Sequence, residues 1–167
     1  MEIFLHGRKI DSIFELLGST ENSITYSVGW CLANSPGFLK LFLAFIDLDG
    51  AEIQEIRMQE YGKDRGYTDI ELLGPTTHII IEAKRGWWLP SDLQWARYAP
   101  RFVLEKRSNQ RFIAMSDCSR EYAALHLPKQ IGDVPLFYIG WRDFAVSAER
   151  VKGTHAEMRL TNELATY

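Results

Sequence analysis

Apolar residues recur at helical spacing in the first third of the chain. The clearest such stretch contains Ile24, Val28, Cys31 and Leu32. Residues three or four apart share one face of an α-helix, so the pattern predicts a helix over residues 19–34 that begins at a Ser-Thr-Glu run. A second helix is predicted over residues 35–46, opened by a serine and a proline. Residues 1–18 are ambiguous, and the Asp-Ser pair at residues 11–12 could cap a short helix through residue 17 that the next residue, a glycine, would end.

The periodicity changes after a predicted turn at residues 47–50. Five predicted strands follow, at residues 52–60, 67–73, 77–84, 111–116 and 134–140. Further helices are predicted at residues 91–99, 120–127 and 142–150, and Pro100 is expected to disturb the end of the first of them. Residues 152–167 are weakly patterned. The third strand is the most apolar, which is typical of a strand covered on both faces.

The order of these elements predicts an α/β fold with a mixed central sheet flanked by helices. The chain has 167 residues, of which 46% are apolar and 25% charged. These values are average for a folded globular protein and exclude disorder, a collagen-like repeat and a coiled-coil rod. The length predicts one domain over residues 1–167.

The cysteines and the apolar runs indicate the cellular setting. Cys31 and Cys118 belong to no CxxC or Cys/His cluster, which argues against a zinc ribbon and favours a reduced, cytoplasmic protein. The first residues do not resemble a secretory signal. The most apolar run, residues 38–46, is shorter than the about 20 residues that span a bilayer. We therefore expect a core helix there and no membrane partner.

Charge is distributed unevenly along the chain. The net charge is −3, but residues 57–111 hold ten basic and seven acidic residues, a local net charge of +3. This asymmetry favours a polyanionic partner such as a nucleic acid for the central part of the chain. The chain is small for sequence-specific recognition on its own, so a homodimer remains open.

Two acids and a lysine are expected to meet at the end of the most apolar strand. Glu82 and Lys84 are two residues apart and therefore share a face of that strand. A hairpin with the preceding strand would bring Asp69 beside Glu82. Two carboxylates at about 4 Å repel each other by roughly 4 kcal/mol at an effective dielectric constant near 20, so either a proton or a divalent cation must offset the repulsion. Mg²⁺, which takes oxygen ligands, is the natural candidate.

These residues resemble the PD-(D/E)XK nuclease superfamily, whose fold is the restriction-endonuclease-like fold. Residues 66–69, Gly-Tyr-Thr-Asp, look like the GxxD version of its first motif, although Thr68 replaces the proline of the family's name. Gln94 and Tyr98 match the QxxxY motif of the RecB-like branch. The predicted order of a helix, three strands, a helix and a strand is similar to the family's core. The resemblance covers about residues 19–118, and residues 119–167 add no recognisable motif.

The resemblance implies a metal-dependent nuclease that hydrolyses phosphodiester bonds, in DNA, in a repair or defence setting. It implies that Mg²⁺, with Mn²⁺ as a substitute, is bound by Asp69, Glu82 and the backbone carbonyl of Ala83. It further implies that Lys84 serves the attacking water and that Glu21 supplies another acid. Gln94 and Tyr98 are implied to line the site or to contact the nucleic-acid backbone.

Several of these residues have alternative interpretations. Ser91 and Gln94 have the spacing of a capping box, and Glu21 could simply favour a helix N-terminus. Three arginines are candidate phosphate contacts, namely Arg85, Arg97 and Arg101. A solvated surface would explain Arg97 and Arg101 equally well.

The pair Trp87 and Trp88 follows the lysine closely. One indole could stack on a base or fill a partner interface, while core packing is expected for at least one of them. The four histidines have no metal-ligand spacing and are interpreted as structural. The alternative to a nuclease is a catalytically inactive module of the same fold that binds nucleic acid or a protein.

Overall fold

A six-stranded sheet with helices on both faces forms the centre of the protein. The computed structural model describes residues 3–6, 8–105 and 107–167. Its strands are β1 (Ile3–Leu5), β2 (Arg8–Ile10), β3 (Glu55–Tyr61), β4 (Tyr67–Leu73), β5 (Thr77–Ala83), β6 (Asn109–Ser116), β7 (Gln130–Ile131) and β8 (Val134–Gly140). Its helices are a 3-10 helix (Ile13–Leu17), α1 (Glu21–Asn34), α2 (Pro36–Phe45), α3 (Asp92–Glu105), α4 (Arg120–His126), α5 (Trp141–Glu149) and α6 (His155–Thr166). The predicted α/β class is confirmed.

The central sheet is mixed, with the strand order β3-β4-β5-β6-β8-β7. β3, β4 and β5 are antiparallel neighbours, whereas β5, β6 and β8 run parallel to one another. All residues of β5 are buried, as its apolar run predicts. The carboxyl end of β5 therefore lies beside the carboxyl end of β6 and the amino end of β4.

Alternating side chains of β5 enter two different cores. Ile79 and Ile81 pack in a core shared with α1, α2, α5 and α6. Ile80 packs with Trp95 and Phe102 of α3. Since successive residues of a strand point to opposite faces, α3 lies on one face of the sheet, and α1, α2, α5 and α6 lie on the opposite face. The first turns of α1 and α3 both reach the end of β5.

Capping residues determine where the first helices begin. Thr20 Oγ1 accepts a hydrogen bond from the Ser23 N–H at the start of α1. Ser35 caps α2, whose first residue is Pro36. Ser12 caps the 3-10 helix, which resolves the ambiguity at residues 11–17. The helices predicted at residues 19–34 and 35–46 are confirmed to within two residues.

α3 continues through Pro100 to Glu105, so the prediction that this helix is disturbed near residue 99 is wrong. Proline lacks an N–H and its ring disfavours the interior of a helix. However, Trp95, Tyr98 and Phe102 lie on both sides of the proline and are buried together. This packing outweighs the local preference, since packing of an apolar face supplies most of the stability of a helix.

Four of the observed elements are not predicted by the sequence pattern, namely α6, β1, β2 and the two-residue strand β7. α6 lies in the weakly patterned residues 152–167 and begins at a capping box formed by Thr154 and Glu157. Thr161 and Leu164 are its buried residues, so its apolar stripe is too narrow to stand out. β1 and β2 form a separate two-stranded sheet near the N-terminus.

Within residues 3–6, 8–105 and 107–167, no single helix is long and apolar enough to cross a bilayer. α1 and α2 satisfy the length and composition test only when taken together, and a bend of 108° separates them. Phe38 and Phe42 of α2 are buried in the core, where the sequence predicts this helix.

Candidate active site

The ammonium group of Lys84 lies among three oxygen atoms just beyond the end of β5. Lys84 Nζ donates to Glu82 Oε1 at 2.8 Å, to the Ala83 carbonyl at 2.7 Å and to Glu21 Oε1 at 3.4 Å. Glu82 and Lys84 are neighbours because they are two residues apart on an extended chain. Glu21 arrives from the first residue of α1. The structure thus brings together three residues that were predicted to be catalytic.

Asp69 joins this cluster from β4. The pairing of β4 with β5 ends at Ile70 and Ile81, and beyond it Asp69 Oδ2 accepts a hydrogen bond from the Ala83 N–H at 2.8 Å. The carboxylate thus takes a position that a backbone carbonyl would occupy in a continued ladder. Asp69 is 7% exposed. The predicted hairpin therefore exists and brings Asp69 to the backbone of the residue that follows Glu82.

Glu82 is buried, and only one of its oxygens is used. Its side chain is 3% exposed. Oε1 accepts hydrogen bonds from Lys84 Nζ and from Gln94 Nε2, both at 2.8 Å. Oε2 is buried without a hydrogen-bond partner among the described residues. A buried acceptor without a partner calls for an explanation, and a bound ion or water at this oxygen would supply one.

Gln94 caps α3 and also contacts the buried Glu82. Its Oε1 accepts from the backbone N–H of Ser91 at 3.1 Å, as a capping box requires. Its Nε2 donates to Glu82 at 2.8 Å. Helix capping therefore orients the amide so that its free end reaches the carboxylate.

Burial dominates the ionisation of the cluster. Burial and the charge of Asp69 raise the pKa of Glu82 to about 7, against the opposing effect of Lys84. Burial also raises the pKa of Asp69, although the Ala83 N–H and the charge of Lys84 oppose it. Burial acts to lower the pKa of Lys84, but the charges of Glu82, Asp69 and Glu21 outweigh it and raise this pKa. The ammonium therefore stays charged, while Glu82 can exchange a proton near neutral pH.

The donor atoms at this cluster fit a hard divalent cation. In the described part of the chain, no group of three or more His, Cys, Asp or Glu side chains is arranged to hold a metal ion. The set predicted for Mg²⁺ differs from such a group, because it consists of two carboxylates, Asp69 and Glu82, and the Ala83 carbonyl. Oxygen donors of this kind suit Mg²⁺. The Lys84 ammonium contacts Glu82 and Ala83 as a cation would, and Glu82 Oε2 is an unused acceptor.

Two of the predicted nucleic-acid contacts have internal partners instead. The Tyr98 hydroxyl donates to the Tyr67 carbonyl at 2.7 Å, and the side chain is buried. The guanidinium of Arg101 pairs with Asp64 and Glu71, and its side chain is only 10% exposed. The prediction that Tyr98 and Arg101 contact a nucleic acid is therefore corrected, because both side chains are committed to the interior.

The other two predicted contacts are both exposed, Arg85 beside the cluster and Arg97 on α3. The backbone N–H of Arg85 donates to Glu21 Oε2 at 3.1 Å, and its guanidinium donates to the Ser19 carbonyl. Arg97 is exposed on α3, and its aliphatic carbons lie against Gly66. Both positions are open to solvent, so their predicted contact with phosphates stays a prediction.

Sequence reasoning missed two residues that orient the cluster. Gln59 of β3 donates from Nε2 to Asp69 Oδ1 at 2.9 Å, from a backbone with φ of 54°. The Trp141 Nε1–H at the start of α5 donates to the Lys84 carbonyl at 2.9 Å. Neither residue belongs to a motif. A polar residue inside the predicted strand 52–60 was the available signal for Gln59.

Trp87 and Trp88 are both exposed, at 59% and 78%, so the expectation that at least one of them packs in the core is wrong. The loop that carries them leaves the sheet at the protein surface. The structural interpretation of His78 is confirmed, since this residue is buried with its Nε2 3.1 Å from Glu71 Oε2.

Comparison of the chain with family models, with curated protein sequences and with solved structures found no match. The geometry of the cluster is therefore the basis on which a function can be assigned.

Proposed function

We propose that this chain is a Mg²⁺-dependent nuclease that hydrolyses phosphodiester bonds in DNA. One observation carries the proposal. Oxygens of Glu82, Ala83 and Glu21 converge on the ammonium of Lys84, and the buried carboxylate of Asp69 lies directly beside them. A cluster of buried acids around one lysine, with one pKa near neutrality, is typical of a catalytic site.

Each residue has a distinct role in this proposal. Asp69, Glu82 and the Ala83 carbonyl would hold Mg²⁺, which supplies a bound water of lowered pKa and polarises the phosphodiester. The ammonium of Lys84 orients the attacking water and stabilises the negative charge that develops on the phosphate. Glu21 positions Lys84, and Gln94 positions Glu82.

The order of the elements supports a restriction-endonuclease-like fold. α1, β3, β4, β5, α3 and β6 follow one another in the order helix, three strands, helix and strand, with α2 inserted after α1. The two acids come from adjacent antiparallel strands, and the lysine follows the second of them. This arrangement agrees with the resemblance of the Asp69 and Glu82–Lys84 motifs to the PD-(D/E)XK superfamily.

Cleavage of DNA tests the proposal directly. Plasmid and linear DNA are incubated with Mg²⁺ or Mn²⁺ and the wild type, Asp69→Asn or Lys84→Met. We expect each substitution to lower the cleavage rate by about 10²–10³-fold, the range seen when one group that stabilises transition-state charge is removed. Asp49→Asn and Lys40→Met are matched controls, because both side chains are exposed and lie outside the cluster. If Asp69→Asn and Lys84→Met cleave DNA as fast as an active wild type, the assignment is wrong.

A catalytically inactive module of the same fold is the second candidate. The observation that favours it is the ion pairing of Lys84, whose ammonium already contacts the oxygens that would bind metal. Such a module would bind nucleic acid or a protein without taking up metal at Asp69 and Glu82. Metal uptake therefore separates the two candidates.

A further inference from the structure

We infer that the loop after Lys84 stacks on unpaired bases of a single-stranded nucleic acid. We call Gly86, Trp87 and Trp88 the indole loop. The inference rests on the proposed nuclease function and specifies the substrate of the same site. Two adjacent, exposed indoles form an apolar surface that a protein without a partner seldom displays, and both follow Lys84 within four residues.

Hydrogen bonds hold the indole loop against the end of β6. The Gly86 N–H donates to Asp117 Oδ2 at 2.6 Å, and the Asp117 N–H donates to the Gly86 carbonyl at 2.9 Å. Gly86 has a φ of 63°, a conformation that glycine adopts without strain. Trp87 packs edge-on against Tyr122, with ring centroids 5.1 Å apart. The indoles are therefore displayed from an anchored backbone.

The carboxylate of Glu21 joins Arg85, the residue before the indole loop, to the catalytic cluster. Its Oε1 accepts from Lys84 Nζ, and its Oε2 accepts from the backbone N–H of Arg85. Trp88 is four residues beyond Lys84, so the two residues are at most about 14 Å apart along the chain. A stacked strand covers that distance in about four nucleotides at 3.4 Å each. A base on Trp88 therefore leaves nearby phosphates within reach of the cluster.

The surroundings of the indole loop favour stacking over charge. A cleft of about 410 Å³ beside Trp87 is lined by Trp141 and by charges of both signs. Those charges are Asp117, Arg120, Glu121, Arg142 and Asp143. Arg120 is paired with Asp143 at 2.9 Å. With three acids and two arginines the cleft carries a net charge of −1, so it adds no attraction for phosphates, and the faces of the exposed indoles are what the loop offers to a nucleic acid.

Stacking on an indole requires a base with an open face. Inside a duplex, both faces of each base are covered by its neighbours, whereas the bases of a single strand are open. The geometry therefore points to single-stranded nucleic acid, and it predicts that the contribution of Trp88 persists at high salt, where phosphate contacts weaken.

Binding without metal tests this inference separately from cleavage. Fluorescence anisotropy in EDTA is measured with a labelled oligothymidine longer than the about 4–16 nucleotides that such surfaces cover, and with a blunt duplex of the same length. The proteins are the wild type, Trp88→Ala, Trp88→Phe and Trp30→Ala. Trp30 is a matched control because it is 56% exposed on α1, away from the loop.

We expect Trp88→Ala to weaken oligothymidine binding by about 5- to 100-fold. Trp88→Phe should retain most of the affinity for oligothymidine, and Trp30→Ala should bind it as the wild type does. Trp88→Ala should leave binding of the duplex unchanged. The inference is overturned if Trp88→Ala binds oligothymidine as the wild type does. It is also overturned if light scattering shows that the substitution instead disrupts a dimer, which would place the indoles in a protein interface.

The two proposals fail in different ways. A chain that binds oligothymidine through Trp88 but cleaves no DNA refutes the nuclease and supports the stacking surface. A chain that cleaves DNA while Trp88→Ala binds normally refutes only the stacking surface.

Discussion

Two buried polar clusters lie where the β4–β5 hairpin meets α3, and each contains a glutamate of the hairpin. The Lys84 cluster consists of Glu21, Asp69, Glu82, Lys84 and Gln94. The Arg101 cluster consists of Asp64, Thr68, Glu71, His78 and Arg101. Glu71 and Glu82 have the same exposed fraction, 3% each. Their pKa values are nevertheless shifted in opposite directions.

In the Arg101 cluster, both oxygens of Glu71 have donors. Oε1 accepts from the Thr68 hydroxyl at 2.7 Å and from Arg101, and Oε2 lies 3.1 Å from His78 Nε2. Burial acts to raise the pKa of Glu71, but the hydrogen bonds from His78 and Thr68 and the charge of Arg101 outweigh it and lower this pKa. Glu71 is therefore held as a carboxylate.

In the Lys84 cluster, the effect of burial on the pKa of Glu82 outweighs the opposing effect of Lys84. The pKa of Glu82 rises to about 7, and Oε2 has no partner among the residues that the structure describes. Glu82 and Glu71 differ in the donors that surround them and in the nearby charge of Asp69, which adds to the effect of burial at Glu82. A fully satisfied carboxylate stabilises the hairpin, whereas an incompletely satisfied one keeps an oxygen available for chemistry.

Substitution of Arg101 tests whether the Arg101 cluster stabilises the fold, and it has the largest expected effect on the free energy of unfolding. Arg101→Met should lower the free energy of unfolding by about 3–5 kcal/mol, because it leaves Glu71 buried without its cation. Urea denaturation at neutral pH measures the loss. Arg159→Met, at an exposed position of α6, is the control and should change stability by at most about 0.5 kcal/mol. An Arg101→Met variant as stable as this control would contradict the structural role.

The pH dependence of stability sharpens the contrast between the two glutamates. A raised pKa means that the contribution of Glu82 to stability is fully present below its ordinary pKa of 4.5 and is lost as pH rises through about 7. Glu82→Gln should therefore gain stability relative to the wild type over this interval, by up to about 3 kcal/mol. The stabilisation by Glu71, whose pKa is lowered, is present above pH 4.5 and is lost as pH falls.

Urea denaturation in EDTA at a series of pH values measures both trends. Relative to the wild type, Glu71→Gln should have its largest deficit above pH 4.5, and this deficit should shrink at lower pH. If the free energy of unfolding of Glu82→Gln and of Glu71→Gln, each relative to the wild type, changed with pH in the same way, the distinction between the two clusters would be lost.

Metal affinity has the smallest expected effect and separates a nuclease from an inactive module. Calorimetric titration with Mn²⁺ should show uptake by the wild type that Asp69→Asn weakens at least about tenfold. Glu71→Gln, folded as judged by circular dichroism, should bind Mn²⁺ as the wild type does, because its carboxylate belongs to the Arg101 cluster. A wild type that takes up no Mn²⁺ would favour the inactive module.

Local signals were sufficient for most of the elements and for the central part of the site. A serine followed by a proline marks the start of α2, and a run of three isoleucines marks β5, because capping and burial act within a few residues. The spacing of Glu82 and Lys84, with Asp69 on the preceding strand, predicted that the three would meet. A two-residue period and a hairpin need no distant information.

The misjudged residues are those whose partners are distant in sequence. Arg101 has the appearance of a surface arginine, but its partner Asp64 is 37 residues away. α3 continues through Pro100 because the sheet covers Trp95 and Phe102. Helix propensity depends only on neighbouring residues and therefore does not reflect that contact. Core packing was expected for at least one of Trp87 and Trp88, but hydrogen bonds between Gly86 and the distant Asp117 hold this loop at the surface.

The sequence by itself determined which side chains could supply acid, base and charge, because residue type and strand period are local properties. Only the tertiary structure decided which carboxylate is satisfied and which is left with an unused oxygen. Whether a buried carboxylate is fully hydrogen-bonded depends on how many donors the packing of α1 and α3 brings to it. Most of those donors are distant in sequence, so neighbouring residues do not reveal their number.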